Sequence, residues 1–488
     1  MRRKSRWQTR AALLAACLLF LQGCTGESSS VLDEGSSAAA SASQTTQFRE
    51  EIAGPPSVRL AHIFADHMVL QRNKRVKIWG SCSGSAAVTV EFKGQIKTAE
   101  VIQGAWSVYL EAMDADAAGS TLTVKTDNAS AAITDVLVGD VWLCSGQSNM
   151  EMTIGACNAE QKEKIKAAAG NGNVRLTKIP PAMSYTEEAD FEAQAVWKDS
   201  AYAANITNSA YAFVFAARLA QELDVPVGII NGSYGGTDIE QWLSAAALDS
   251  INVRYGKPLT YNPMIAPLKG MALKGILWYQ GENNVTRGTS YTMLFNAYAK
   301  QCRTEFQDEQ LPIVTTMLDR YYDANLLKWG PFRLEQWAIA QADPHVEIVC
   351  SIDMGDKTNI HPNDKYELGQ RAAALTLNRI YGQTQLPGQS ACASALTRSG
   401  DTVTIAFDNA ESGLLLSAGK TVASLVVTDD KAAAHPVEAT IVDNQLQFSI
   451  AGVDSPLYVR YAYDMYPETI NLFTRNGLPV APFSLAIN

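Results

Sequence analysis

The chain has 488 residues, 47% hydrophobic and 18% charged, with a formal net charge of −10. This is globular composition with apolar mass for more than one core, and the acidic balance excludes nucleic acid as a partner because no basic stripe could release counterions. Five histidines occur (His62, His67, His345, His361 and His435), so an imidazole-dependent chemistry has few candidates.

Residues 1–23 read as a signal peptide: a basic stretch over residues 1–10, then an apolar run too short to span a bilayer comfortably. The run ends in Leu21-Gln22-Gly23-Cys24, which resembles the lipobox of bacterial lipoproteins and implies cleavage before Cys24 and lipidation of its thiol. An ordinary secretory signal is the other reading, and both place the protein outside the cytoplasm. Membrane contact is expected only through the lipid anchor. Residues 24–55 are small and polar, unable to bury a core, and read as a flexible linker. Cys82, Cys144, Cys157, Cys302, Cys350 and Cys392 are widely spaced, with no C-x-x-C pair or His/Cys cluster, so no metal site is expected. Cys144 and Cys350 lie in apolar runs and read as buried thiols.

Residues 56–134 alternate in short apolar-polar runs with Gly-rich punctuation, predicting an N-terminal β-sandwich domain. From 135 to 385 the rhythm changes. Apolar runs (135–144, 173–179, 226–232, 274–281, 311–318, 346–353) alternate with helical stretches such as 209–223, 332–342 and 365–381. That pattern predicts an α/β domain built on a parallel sheet covered by helices. Residues 386–488 return to strand patterns and predict a C-terminal β domain.

In open α/β sheets, functional groups gather at the carboxyl ends of the strands. The first strand exit carries Gly146-Gln147-Ser148-Asn149, the next Tyr234-Gly235-Gly236-Thr237, then Gln280-Gly281-Glu282, then Asp356 and Ile360-His361-Pro362. Together these are the parts of an acyl-transfer site. A serine hydroxyl is a weak nucleophile until a neutral imidazole accepts its proton, and the tetrahedral intermediate needs N–H donors. Ser148 and His361 supply the first pair. Gly235 or Gly236 can offer backbone N–H, and Gln280 or Asn149 a side-chain amide. Ser148 could instead only cap the helix that follows. Ser145 is the rival hydroxyl and reads as a turn residue. Glu282 could bind substrate, orient a neighbour or pair with a basic residue at the sheet edge, and reads as structural. Trp242, Trp278 and Trp337 read as core.

The ordered set "GQSNM", "YGGT", "WYQGE" and "IHP", with "HMVLQRNKRVKIWG" before it and "NLFTRNGLPVAPF" after, resembles the sialate O-acetylesterase-like branch of the SGNH hydrolase superfamily. The resemblance implies a flavodoxin-like three-layer core flanked by two β domains. It implies cofactor-free deacetylation of an acetylated carbohydrate, sialic acid or a plant-type glycan. Ser148 would be the nucleophile and His361 the general base, with the glycines of "YGGT" and Gln280 serving the oxyanion hole. One departure stands out. Many SGNH enzymes carry a carboxylate three residues before the histidine, and here that position is Thr358. Asp356 is the nearest preceding acid, with Asp353 further back; either Asp356 or a backbone carbonyl would orient the ring. A lipase or thioesterase on the same scaffold, and a glycan-binding surface lipoprotein with an inert core, are the competing functions.

Overall fold

A long strand, β1 (Ser130–Gly146), organises the molecule. A computed structural model describes residues 56–170, 173–253 and 255–487; the expected signal peptide, Cys24 and the linker lie outside the described residues. The first half of β1 is buried on alternate residues and pairs antiparallel with Asp116–Lys125. Its second half, from Val136, is buried without a break. The change marks passage from a sheet with one wet face to one covered on both faces. The boundary drawn at residues 134 and 135 therefore falls inside a single strand, next to Asp135 with its positive φ of 52°.

Beyond that point β1 is a central strand of a parallel sheet with β2 (Val174–Lys178), β3 (Val227–Ser233), β4 (Gly275–Tyr279), β5 (Ile313–Thr316) and β6 (Val346–Val349). The order across the sheet is β2-β3-β1-β4-β5-β6, every neighbour parallel. Successive side chains of a strand point to opposite faces. Tyr279 meets Tyr211 of the helix Ala210–Leu223, whereas its neighbour Trp278 meets Tyr298 of the helix Tyr291–Glu305. Helices thus cover both faces, giving three layers. The helix Ala210–Leu223 begins where expected because Ser209 caps it, accepting from Ala212 N–H.

The N-terminal strands form two sheets. One comprises Ser57–Leu60, Val76–Ser83 and Ala105–Leu110; the other, with Ala87–Phe92 and Gln95–Glu100, is continuous with β1. The C-terminal strands form two four-stranded sheets and a two-stranded one. An ion pair ties the N-terminal region to the core. Asp140, in mid-β1 and 1% exposed, receives Arg72 Nε and Nη2 at 3.0 and 2.8 Å, Gln71 Nε2 at 3.1 Å and Tyr381 Oη at 2.9 Å. The six described cysteines are free thiols, and Cys144 and Cys350 are buried. Trp242, Trp278 and Trp337 are buried in the core. Among the described residues no helix is long and apolar enough to cross a membrane.

Candidate active site

The chain leaves β1 through Gly146, whose φ of 138° suits only glycine; a β-carbon there would come within 2.1 Å of the Tyr279 carbonyl oxygen on β4. Gln147 N–H donates to that carbonyl, and Tyr234 N–H donates to Gly146 O, so the turn is held from both neighbouring strands. The short helix Ser148–Glu151 follows. Its N-cap position is Gln147, and Ser148 makes no capping hydrogen bond. Instead Ser148 Oγ lies 2.8 Å from His361 Nε2, bringing together two residues 213 positions apart. Ser145 is buried within β1, and its hydroxyl has no hydrogen-bond partner among the described residues, the imidazole included. His62, His67 and His435 bond to Phe191 O, Asp135 and Asp429 and take no part in this site.

The orienting acid is not where the spacing suggested. Asp356 Oδ1 accepts from Thr358 N–H, Thr358 Oγ1 and Asn359 N–H at 2.8 to 3.0 Å, closing a local turn rather than reaching His361. Short-range backbone donors capture an Asp in such a loop before a distant ring can. Asp353 is taken by Arg371 in a two-pronged pair at 2.6 and 2.8 Å. The loop carrying His361 is positioned by its backbone. His361 N–H donates to Asn359 Oδ1, and Gly355 N–H to Asp364 Oδ2. Asn149 Nδ2 donates to the carbonyl of Ile360 at 3.0 Å and to Glu282 Oε1 at 2.6 Å. One amide next to Ser148 thereby clasps the residue next to His361.

The same bonds revise the oxyanion assignments. Both amide protons of Asn149 are engaged in the clasp. Gln280 is fully buried; its Nε2 faces Asn284 Oδ1 at 2.6 Å and Gln147 Oε1 and Thr237 O at 3.2 Å, while its Oε1 accepts from Tyr291 Oη. Gln280 ties three loops together and has no proton left for a substrate. Gly235 N–H donates to Glu151 Oε2 at 2.7 Å. Gly236 N–H has no acceptor among the described residues, and its carbonyl is held by Asn283 Nδ2.

Burial and charge set the titration of the site. His361 is held below the ordinary imidazole value of 6.5, first by burial and then by repulsion from Lys365. Burial raises Glu282 to about 7, opposed by the Asn149 hydrogen bond and, more weakly, by Lys365. Lys365 is fully buried, its Nζ 5.5 Å from the Tyr279 ring centre, and burial lowers its pKa. Asp319, which accepts from Tyr279 Oη at 2.6 Å, is raised by burial. Glu151 and Lys365 were missed in the sequence, yet both carried a signal. Glu151 lies one helical turn after Ser148, where i and i+3 share a face, and Lys365 opens the helix that follows the His361 loop. Among the described residues no group of three or more His, Cys, Asp or Glu side chains could hold a metal ion.

Residues 138–378 match the family described as carbohydrate esterase, sialic acid-specific acetylesterase. Human sialate O-acetylesterase is 32% identical over 377 residues, spanning 67% of this chain and 72% of the human one. The rat sialate O-acetylesterase is 29% identical over 411 residues, covering 67% of this chain and 76% of its own. The crystal structure of a carbohydrate acetylesterase from Xanthomonas citri superposes with a TM-score of 0.81 at 32% identity, covering 88% of this chain and 99% of that one.

Proposed function

The chain belongs to the sialic acid-specific acetylesterase family of carbohydrate esterases and is a carboxylic ester hydrolase; from that premise we propose that it removes O-acetyl groups from a glycan through an acetyl-Ser148 intermediate. The observation that carries the reading is the 2.8 Å contact between Ser148 Oγ and His361 Nε2. His361, its imidazole kept neutral by burial and Lys365, takes the hydroxyl proton as Oγ attacks the acetyl carbonyl carbon. Collapse of the tetrahedral intermediate breaks the bond to the sugar oxygen, which leaves with that proton. Water, deprotonated by the same imidazole, then releases acetate and restores Ser148. Gly236 N–H and the N–H of Ser148, which opens a helical turn and so has no intrahelical acceptor, receive the developing oxyanion. The site works as a dyad, with the Asn149–Ile360 clasp supplying the positioning that a third carboxylate supplies elsewhere.

Acetate release from 9-O-acetyl-N-acetylneuraminic acid and from acetylated xylan tests the chemistry and separates the two sugar classes. Ser148→Ala, His361→Ala and the double variant should each lose activity by roughly 10³-fold or more, and by similar rather than additive amounts. Full activity in Ser148→Ala would sink the reading. We further propose export and anchoring through Cys24. The multiple acyl chains of a mature lipoprotein would hold it stably on a membrane, where a single chain binds only marginally. Cys24→Ala should move the protein from the membrane to the soluble fraction; unchanged fractionation would refute the anchor.

A further inference from the structure

A loop of the C-terminal region, residues 462–470, is fastened to the catalytic core by two arginines. Arg333, fully buried, donates through Nη2 to the carbonyls of Asp464 and Met465. Arg320 donates to Pro467 O at 3.0 Å on one side and to Asp353 O and Met354 O at 3.0 and 3.2 Å on the other. Gly330 lets the loop approach its helix; a β-carbon there would fall 1.6 Å from Tyr463 O. Burying a guanidinium costs free energy unless its geometry is used. Arg333 thereby holds the loop to its own helix, and Arg320 holds it against the segment that leads to His361.

What the loop completes is a cleft of about 690 Å³, within the size range of ligand sites. Tyr322, Leu327, Lys357, Tyr463, Tyr466 and Glu468 line it. Tyr322 is 52% exposed, and its N–H donates to Lys357 O at 3.3 Å, so it is anchored to the same loop four residues before the base. Arg320 stacks over Tyr466 at 4.9 Å from the ring centre, and Lys357 pairs with Glu468.

We propose that this cleft is a glycan subsite for two or more neutral pyranose residues adjoining the acetylated sugar. A pyranose offers an apolar C–H face ringed by hydroxyls. Tyrosine rings cover such a face, while their hydroxyls and the paired charges bond the rim. Lys357 and Glu468 offset each other, and Asp464, which also lines the cleft, adds a negative charge that disfavours an acidic ring and leaves neutral sugars the better fit. The inference rests on the glycan reading of the dyad and deepens it, because Lys357 and His361 share one loop.

Calorimetric titration of the full chain with xylotetraose and with lacto-N-tetraose, neutral tetrasaccharides of plant and animal type, tests the subsite without acetyl chemistry. At least one should bind. Tyr322→Ala and Tyr466→Ala should each weaken it by about tenfold, Tyr322→Phe by less, and Ser148→Ala not at all. Hydrolysis of nitrophenyl acetate by the tyrosine variants should remain within about twofold of wild type, as a measure of folding of the core. If Tyr466→Ala fails that control, half-exposed Tyr322 decides the matter. Binding of neither sugar, or undiminished binding in Tyr322→Ala, overturns the subsite. Binding that persists in a protein releasing no acetate from any glycan upholds the subsite and refutes the deacetylation reading.

Discussion

Among the described residues no carboxylate bonds to the His361 ring, and that shapes its titration. Burial is the larger cause of its lowered pKa and Lys365 the second. With His361 as the proposed base, protonation should stop the reaction, so activity should be lost as pH falls through the lowered value, below the ordinary 6.5. The acid limb of kcat/KM for nitrophenyl acetate should therefore lie below that of a free imidazole. Lys365→Met removes the repulsion and should move the limb upward, though burial keeps part of the shift. Other charges near Lys365 come from Asp319, Asp364 and Glu282, so the same profile in Asp319→Asn checks that the effect belongs to the lysine. An unmoved limb in Lys365→Met would exclude it from setting the base.

At the scale of elements, the site is a meeting of loops from four strands, and Asn149 with Glu282 forms its fastening. Glu282→Ala deprives Asn149 Nδ2 of its shortest acceptor and frees the carbonyl of Ile360 to shift. A displacement of about 1 Å at a reacting group can cost on the order of 10²-fold, so kcat should fall by roughly tenfold to a hundredfold with KM little changed. Glu282→Gln retains an oxygen acceptor and should recover most of the loss. Wild-type kcat in Glu282→Ala would show that the loop holds itself. The carboxyl also bears on stability. Its pKa is raised from 4.5 to about 7, so its contribution is fully present below the unfolded value and is lost as pH rises through about 7. The Gln variant should lack that slope in thermal melts across the same window.

Across the whole molecule, β1 belongs at once to the N-terminal sheet and to the catalytic one, and the Arg72–Asp140 pair locks the junction. Arg72→Ala leaves a carboxylate that is 1% exposed without its cation. Breaking a buried pair in this way costs about 3–5 kcal/mol. Tyr381 and Gln71 still bond Asp140, so the loss should sit at the lower end of that range. Because one strand serves both sheets, calorimetry should show the N-terminal region and the core unfolding together. A separate early transition for residues 56–134 in the wild-type protein would contradict this coupling.

The three-part order of β, α/β and β, the parallel sheet and the pairing of Ser148 with His361 were legible in the chain. Apolar periodicity records burial on one face or two, and a hydroxyl, an imidazole and their turn glycines stand out at strand ends. The seam at 134 and 135 was legible as a change of pattern, not as a strand running through it. The polar partners were another matter. Gln280 is chemically as able to donate to an oxyanion as to a protein loop, and its acceptors at positions 147, 237 and 284 become neighbours only when three strands align. Gly235 N–H likewise meets Glu151 across 84 residues. Asp356 shows the converse, a local turn that outcompetes the longer reach. Apolar burial is non-directional and sums along a segment, so a run of residues announces it. A hydrogen bond depends on one donor meeting one acceptor at about 3 Å, and for pairs far apart in the chain only the folded arrangement of the loops decides which acceptor that is.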